Sequence, residues 1–401
     1  MLLRGPRALQ ARFDRHNEVL GDWFPGLGRI VWLRDPQLIE QVVRSPGTDF
    51  AELGRLLQPS LGPSLASVEG AEHREIRQVV ARSVRGEALT GCRAAIAASA
   101  QRLADSCPVN APFRLTPLLE RALLRANLEV TVGGAGVRDV DRWTDTFIRL
   151  RRTTDSFPAV LHCIGVLPWF PPLRRIREDC RALVRAEVVR RRRLAVASPD
   201  LLGRLLSADS TYLPDARVCD NILAFLFGGQ GAVAAAAWTI ERLVRHPAAW
   251  ERVAAEAATG SGAYTDAVIY ESLRVRPATG RVAWRLREPC EINGYRIPAR
   301  TWVLVSIWDL HHDRRHYPQP GQFQPERFLG KRPPRQAWLP FGAGPHACPA
   351  GQLALLQIKE VVHALARRGR LAPAGPRDEQ ISWRSGVELF PSRGCSVILR
   401  G

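Results

Sequence analysis

Lysine is almost missing from this sequence. Lys331 and Lys359 are the only two among 57 basic residues, so a formal charge of +18 is carried nearly entirely by arginine. The arginines run along the whole chain and interleave with 39 carboxylates, which marks a compositional bias and not a nucleic-acid-binding stripe. Arg190 to Arg193 is the one dense run, and at the end of a helical pattern it reads as a solvated, dipole-favoured terminus. Long apolar runs are missing too: no stretch approaches the roughly 18 consecutive apolar residues that span a bilayer, and no cleavable signal is visible. The expectation is a cytoplasmic protein off the membrane. Paired cysteines are also missing. The eight cysteines, at 92, 107, 163, 180, 219, 290, 348 and 395, include no C-x-x-C and no zinc spacing. Seven sit in ordinary apolar or mixed contexts, where a free thiol behaves as a small hydrophobe. Cys348 does not.

What is present is a chain of 401 residues, 46% hydrophobic and 24% charged, long enough to bury a sizeable core. Helical periodicity dominates to about residue 276, over Gln37 to Arg44, Glu72 to Val84, Ala94 to Ala104, Leu118 to Val130, Val140 to Arg152, Arg174 to Ala195, Asp215 to Arg245, Trp250 to Ala258 and Thr265 to Arg274. Phe157 to Leu173 holds four prolines and reads as a bent apolar connection. The period then falls to 2, over Val282 to Leu286, a hairpin at Asn293-Gly294, and Trp302 to Trp308. Ile30 to Leu33 is an early strand, Gly351 to Arg368 a last long helix, and Val387 to Leu399 a final hairpin. With no internal repeat, residues 1–401 read as a single domain, mainly α with a small β-rich part whose strands come from both ends of the chain.

The most specific local signal is Phe341-Gly342-Ala343-Gly344-Pro345-His346-Ala347-Cys348-Pro349-Ala350-Gly351, a glycine-rich loop that delivers one cysteine to a helix N-terminus. The helix dipole and free N–H groups there favour thiolate, and the glycines let the backbone approach a large flat ligand. A lone thiolate suits an axial ligand of haem iron. Glu271 and Arg274 share a helical face at i, i+3, and Arg327 follows in an irregular segment.

Taken in this order, these elements resemble the cytochrome P-450 family of haem-thiolate enzymes, from about Ile30 to the end of the chain. The resemblance implies that Cys348 is the proximal ligand of the iron of haem b (heme, iron protoporphyrin IX). The haem would lie between the long helix Asp215 to Arg245 and the cysteine loop, with Phe341 packed near the sulfur and Gly342, Gly344 and Ala350 along its face. Glu271, Arg274 and Arg327 would form the family's buried structural network. His73 and Arg77, one turn apart, match the helix that contacts a haem carboxylate, and His346 holds the loop position where the family carries His or Arg. Arg285 matches the strand arginine, with Arg281 a competing choice.

The long helix departs from the family. Its oxygen-activating motif, in which an acid and an alcohol manage water and protons, falls on Phe227-Gly228-Gly229-Gln230-Gly231-Ala232. Gln230 stands for the acid and Gly231 for the alcohol, and shifting the register by one residue restores neither. Three glycines in one turn, each costing about 1 kcal/mol relative to alanine, predict a loose or kinked segment, and the resemblance implies that Gly228 and Gly229 lie over the iron.

The resemblance therefore implies a monomeric, monooxygenase-type haem-thiolate oxidoreductase acting on a small, largely apolar metabolite in secondary metabolite biosynthesis. Its electrons would come from a ferredoxin or flavodoxin with its reductase. The missing acid–alcohol pair favours, as an alternative, peroxide-dependent oxidation, coupling, rearrangement, dehydration or group (nitrene) transfer at iron. An inert recruitment or binding module of the same fold is the rival from another class, and a retained Cys348 loop argues against it. By analogy the substrate region falls on Leu56 to Ser67, Phe157 to Leu173, Phe225 to Gly229, Ala278 to Val282 and Val387 to Phe390.

Overall fold

Apolar residues at helical spacing and a late group of alternating strands build a mainly helical protein, with four small sheets among the described residues. The computed structural model describes residues 6–15, 18–24, 26–133, 139–194, 198–383 and 388–400. Cavity-forming elements gather around the long helix, which runs from Asp215 to Val244 and is interrupted at Gly229. Its second half, Gln230–Val244, is nearly all buried, with Ala234, Ala236, Ala237 and Ile240 fully so. Small side chains there let Leu115–Val132, Ala263–Val275 and Gly351–Arg368 close around it in one core. Among the described helices this is the one long and apolar enough to cross a bilayer, but most of its apolar stretch is buried inside the protein, as befits a core helix.

The five-stranded sheet joins the start of the chain to strands from residues 281–306. Val19–Phe24 pairs antiparallel with Gly28–Leu33, which pairs parallel with Trp302–Ser306, so that Ile30 faces Trp302 across some 270 residues of chain. Arg281–Leu286 adds antiparallel to the other side of Trp302–Ser306. The Asn293-Gly294 hairpin forms as its sequence predicts, with positive φ at both turn residues (51° and 76°).

Several expectations change. The strand beginning at Trp302 ends at Ser306, whose hydroxyl caps a short helix, Ile307–His311. The connection after Ser156 contains a helix, Phe157–Cys163, and Pro171-Pro172 opens Pro171–Leu194 where proline is tolerated, at the first helical positions. Ala195 and Val387 lie outside the described residues. The end of the chain is not one hairpin: Leu389–Pro391 pairs with Ile381–Trp383, whereas Ser396–Arg400 lies between Pro112–Arg114 and Arg370–Pro373. Gly394 and Cys395, at φ 74° and 53°, turn the chain from one sheet to the other. The arginine run is also less solvated than expected. Arg191 is buried and bonds Glu187 and Asp200, while Arg190 bonds Glu187 and Arg192 pairs with Asp215.

Candidate active site

A cavity of about 370 Å³ is lined by the glycine break of the long helix and by the cysteine loop. The loop reaches it through two left-handed glycines, Gly342 and Gly344, both at φ +74°. Its closure is a backbone bond from Cys348 N–H to Phe341 O at 2.8 Å, and the Phe341 ring packs over Gly351, where a Cβ would lie 3.3 Å from it. At Gly344 a Cβ would come 2.8 Å from the Phe50 ring. Gly344→Ala should therefore lower stability by about 1–3 kcal/mol through backbone strain alone and shift Phe50, a loss that a thermal unfolding curve will read.

Cys348 is enclosed by protein, yet its side chain presents free surface, because that surface faces the cavity. Burial pushes its thiol above the ordinary value, against the opposing pull of the Ala350 N–H and of Arg77 and Arg85. The helix terminus thus acts in the expected sense but is outweighed. A cation opposite the sulfur is what such a buried thiol needs to become thiolate.

His73 and His346 stack beside it, 4.0 Å apart and nearly parallel, with Phe50 stacked on the far side of His346. Burial, with Arg77 and Arg74 adding, brings His73 down to about 4; burial, with His73 and Arg77 adding, brings His346 down to about 3. His73 Nε2 is buried without a protein partner, and Arg77 has no carboxylate partner among the described residues. A buried donor and a half-buried unpaired cation on one wall, with a sulfur facing the hollow, fit a flat anionic cofactor that carries a metal. The structure thus brings His73, Arg77, His346, Phe341, Gly342, Ala350 and Cys348 to one cavity.

Arg285 is not brought there. Strand alternation puts Val282 on the cavity wall and Trp284 on the same face, against Phe50, while Arg285 points away and pairs with Glu52. Arg281 does not line the cavity either, and burial lowers it to about 10. Gly344 supports the loop from behind, against Phe50, without lining the hollow.

Glu271 and Arg274 are both 0% exposed and form a two-bond fork, Nε to Oε2 at 2.8 Å and Nη2 to Oε1 at 2.7 Å. Arg274 also donates to the carbonyls of His311, Pro320 and Gln322, and Gln324 N–H donates to Glu271. Arg327 stands 3.5 Å from Glu271 and holds Pro318 O and Gln324. This network ties the irregular segment after Tyr317 to the helix Ala263–Val275.

The long helix breaks where the three glycines predict. Gly228, Gly229, Gly231 and Ala232 line the cavity, and a Cβ at Gly228 or Gly231 would meet nothing within 4 Å. Gln230 is buried and, unlike its neighbours Gly229 and Gly231, is not one of the residues that line the cavity. Of the five substrate regions, Leu65, Ala66, Phe225, Ala278, Thr279, Val282 and Glu388 do line it. Phe157 to Leu173 contributes none, and Phe157, Val166 and Trp169 turn their side chains to solvent instead. Sequence reasoning missed Asn127, Asn221 and Gln357, polar lining groups from three helices. At Asn127 the visible signal is a lone amide on an otherwise apolar face, with Leu123, Leu124 and Val130 three or four positions away.

Comparison with known proteins agrees with this geometry. The Cytochrome P-450 family model matches residues 9–391. The chain is 30% identical to "Putative cytochrome P-450 137" of Mycobacterium tuberculosis over 417 residues, covering 100% of this chain and 86% of that one. It is 28% identical to "Putative cytochrome P-450 135B1" of Mycobacterium bovis over 435 residues, covering 100% and 88%. A retinoic acid-bound cyanobacterial CYP120A1 structure superposes with a TM-score of 0.85 at 21% identity, covering 99% of this chain and 95% of the other, which establishes the shared fold. With its cysteine loop, buried Glu271–Arg274 fork and broken long helix in place, the chain belongs to the cytochrome P-450 family of haem-dependent oxidoreductases.

Proposed function

We propose that this protein is a monooxygenase-type haem-thiolate enzyme that oxidises a small, largely apolar metabolite of a secondary biosynthetic pathway. The carrying observation is Cys348, whose sulfur faces an apolar hollow that the glycine break also lines. Haem b would be held by Cys348 at the iron and by His73, Arg77 and His346 at its carboxylates, and it supplies redox chemistry at iron. The chain's own residues do the rest. Leu65, Ala66, Phe225, Ala278 and Val282 exclude water and favour an apolar guest, and Thr279, Asn221 and Glu388 set polar points that orient it. Eight free cysteines support a cytoplasmic location, and the arginine-rich surface supports an acidic ferredoxin or flavodoxin, with its reductase, meeting a monomer. The absorption spectrum of the dithionite-reduced, carbon monoxide-bound protein tests the reading: a strongly red-shifted Soret band is expected, and folded protein without haem would overturn it in favour of a binding module.

A second reading is favoured by Gly231, which leaves the alcohol position empty in the cavity wall. Under it the enzyme uses peroxide directly, or performs coupling, rearrangement, dehydration or group transfer. Turnover with a ferredoxin system against turnover with peroxide separates the two. A side chain at Gly231 has room, and exchanging glycine for threonine in a helix gains about 0.5 kcal/mol of propensity. Gly231→Thr should thus fold and change the fraction of electrons lost as peroxide several-fold, whereas Gln230→Asp alone, off the cavity, should change it little. An unchanged peroxide yield and product profile in Gly231→Thr would show that the missing hydroxyl is irrelevant.

A further inference from the structure

Two amide side chains from outside the long helix meet at its break. Asn127, in Leu115–Val132, is 3% exposed, and Gln357, in Gly351–Arg368, is 1% exposed; both line the cavity. Gln357 Nε2 donates to Asn127 Oδ1 at 2.8 Å. The Asn127 amide nitrogen then fills the space that a side chain at Gly229 would need, since a Cβ there would lie 2.2 Å from it. Gly229, the middle glycine of the three, is therefore explained by an amide pressed into the break.

Burying two amides in an apolar core is costly unless their hydrogen-bonding groups are used. Each has more capacity than one bond consumes: Gln357 keeps its carbonyl oxygen and a second N–H, and Asn127 keeps its own NH₂. None of these atoms is among the buried side-chain atoms that lack a partner, and the mutual bond is the one that either side chain makes to protein among the described residues. What is left of both amides therefore opens onto the cavity, next to Gly228, Gly229 and Gly231. Donors and an acceptor that face a cavity from a buried wall are what an ordered water requires.

We infer that the Asn127–Gln357 pair positions solvent at the break of the long helix, supplying the hydrogen bonds that neither Gly231 nor Gln230 gives. An amide does not itself pass a proton at ordinary pH, so both are positioning residues and the held water is the mobile group. This rests on the haem-thiolate reading proposed above.

The test uses the resting ferric holoenzyme and the variants Gln357→Leu and Asn127→Leu. Electron–nuclear double resonance reads exchangeable solvent protons near the iron without turnover. A defined exchangeable-proton signal is expected in the wild type and its loss or broadening in both variants, with a several-fold change in peroxide yield. Because leucine at 127 presses on Gly229 and could prevent folding, Gln357→Met, which leaves Asn127 in place and nearly conserves volume, repeats the test. Folded, haem-loaded variants with an unchanged proton signal would overturn the inference, even if their melting temperatures fall, since a packing wedge predicts only the fall. A wild type lacking the red-shifted carbon monoxide band fails the haem-thiolate reading instead, before any variant is made.

Discussion

Replacing Arg274 by leucine should leave little folded, haem-loaded protein. The Glu271 carboxylate and the Arg274 guanidinium have no exposure, so neither can fall back on water when its partner is removed. Leucine would strand a buried carboxylate beside Arg327, which at 3.5 Å cannot rebuild the two-bond fork, and would leave the carbonyls of His311, Pro320 and Gln322 without their donor. Breaking a buried pair from one side costs about 3–5 kcal/mol, against a total stability of about 5–15 kcal/mol for a folded domain. Arg274→Lys should rescue little, because one ammonium cannot serve a bidentate carboxylate and three carbonyls in fixed directions. The measurement is haem content per chain together with thermal unfolding. A leucine variant that melts within a few degrees of wild type would show that the network is not holding the segment that leads into the cysteine loop. Breaking it would bring down the site through the fold, with no group at the cavity wall altered.

Local pattern made much of this fold legible, and tertiary pairing hid the rest. The cysteine loop and the Glu271–Arg274 spacing are contiguous signals, and so is the glycine break, whose cost in helix propensity is written in three adjacent residues. Arg285 went astray through strand register. With Val282 on the cavity wall, a period of 2 sends Arg285 to the opposite face, but nothing in the sequence says which face of the strand meets the cavity. The same limit hid the sheet change after Pro391, since two short strands joined by a tight turn look alike whether or not they pair with each other. Asn127 and Gln357 stand 230 positions apart and become one feature only when two helices pack against a third. Gln230 shows the converse: its place in the motif was legible, and its absence from the cavity wall was not.

Replacing Cys348 by serine should abolish the red-shifted carbon monoxide band while leaving the cofactor-free protein as stable as before. The two halves of this expectation come from one fact, that the sulfur faces the hollow and is not packed as a core atom. Serine keeps the small volume and the Phe341 O bond is made by backbone, so little packing is lost in the absence of haem. With haem the difference is large. Thiolate is the ligand that gives the band its position, and a serine hydroxyl under the same burial does not ionise to replace it. Binding free energy lost at the iron then appears as lost stability of the loaded form, because a ligand that binds only the folded state stabilises it in proportion to the logarithm of its affinity. The comparison is therefore of two melting curves for each protein, with and without haem. The wild type should show a haem-dependent rise that the serine variant largely lacks, and the two cofactor-free curves should coincide. Coincident loaded curves would mean that His73, Arg77 and His346 hold the cofactor without help from the sulfur. A serine variant already unstable without haem would mean that Cys348 belongs to the core.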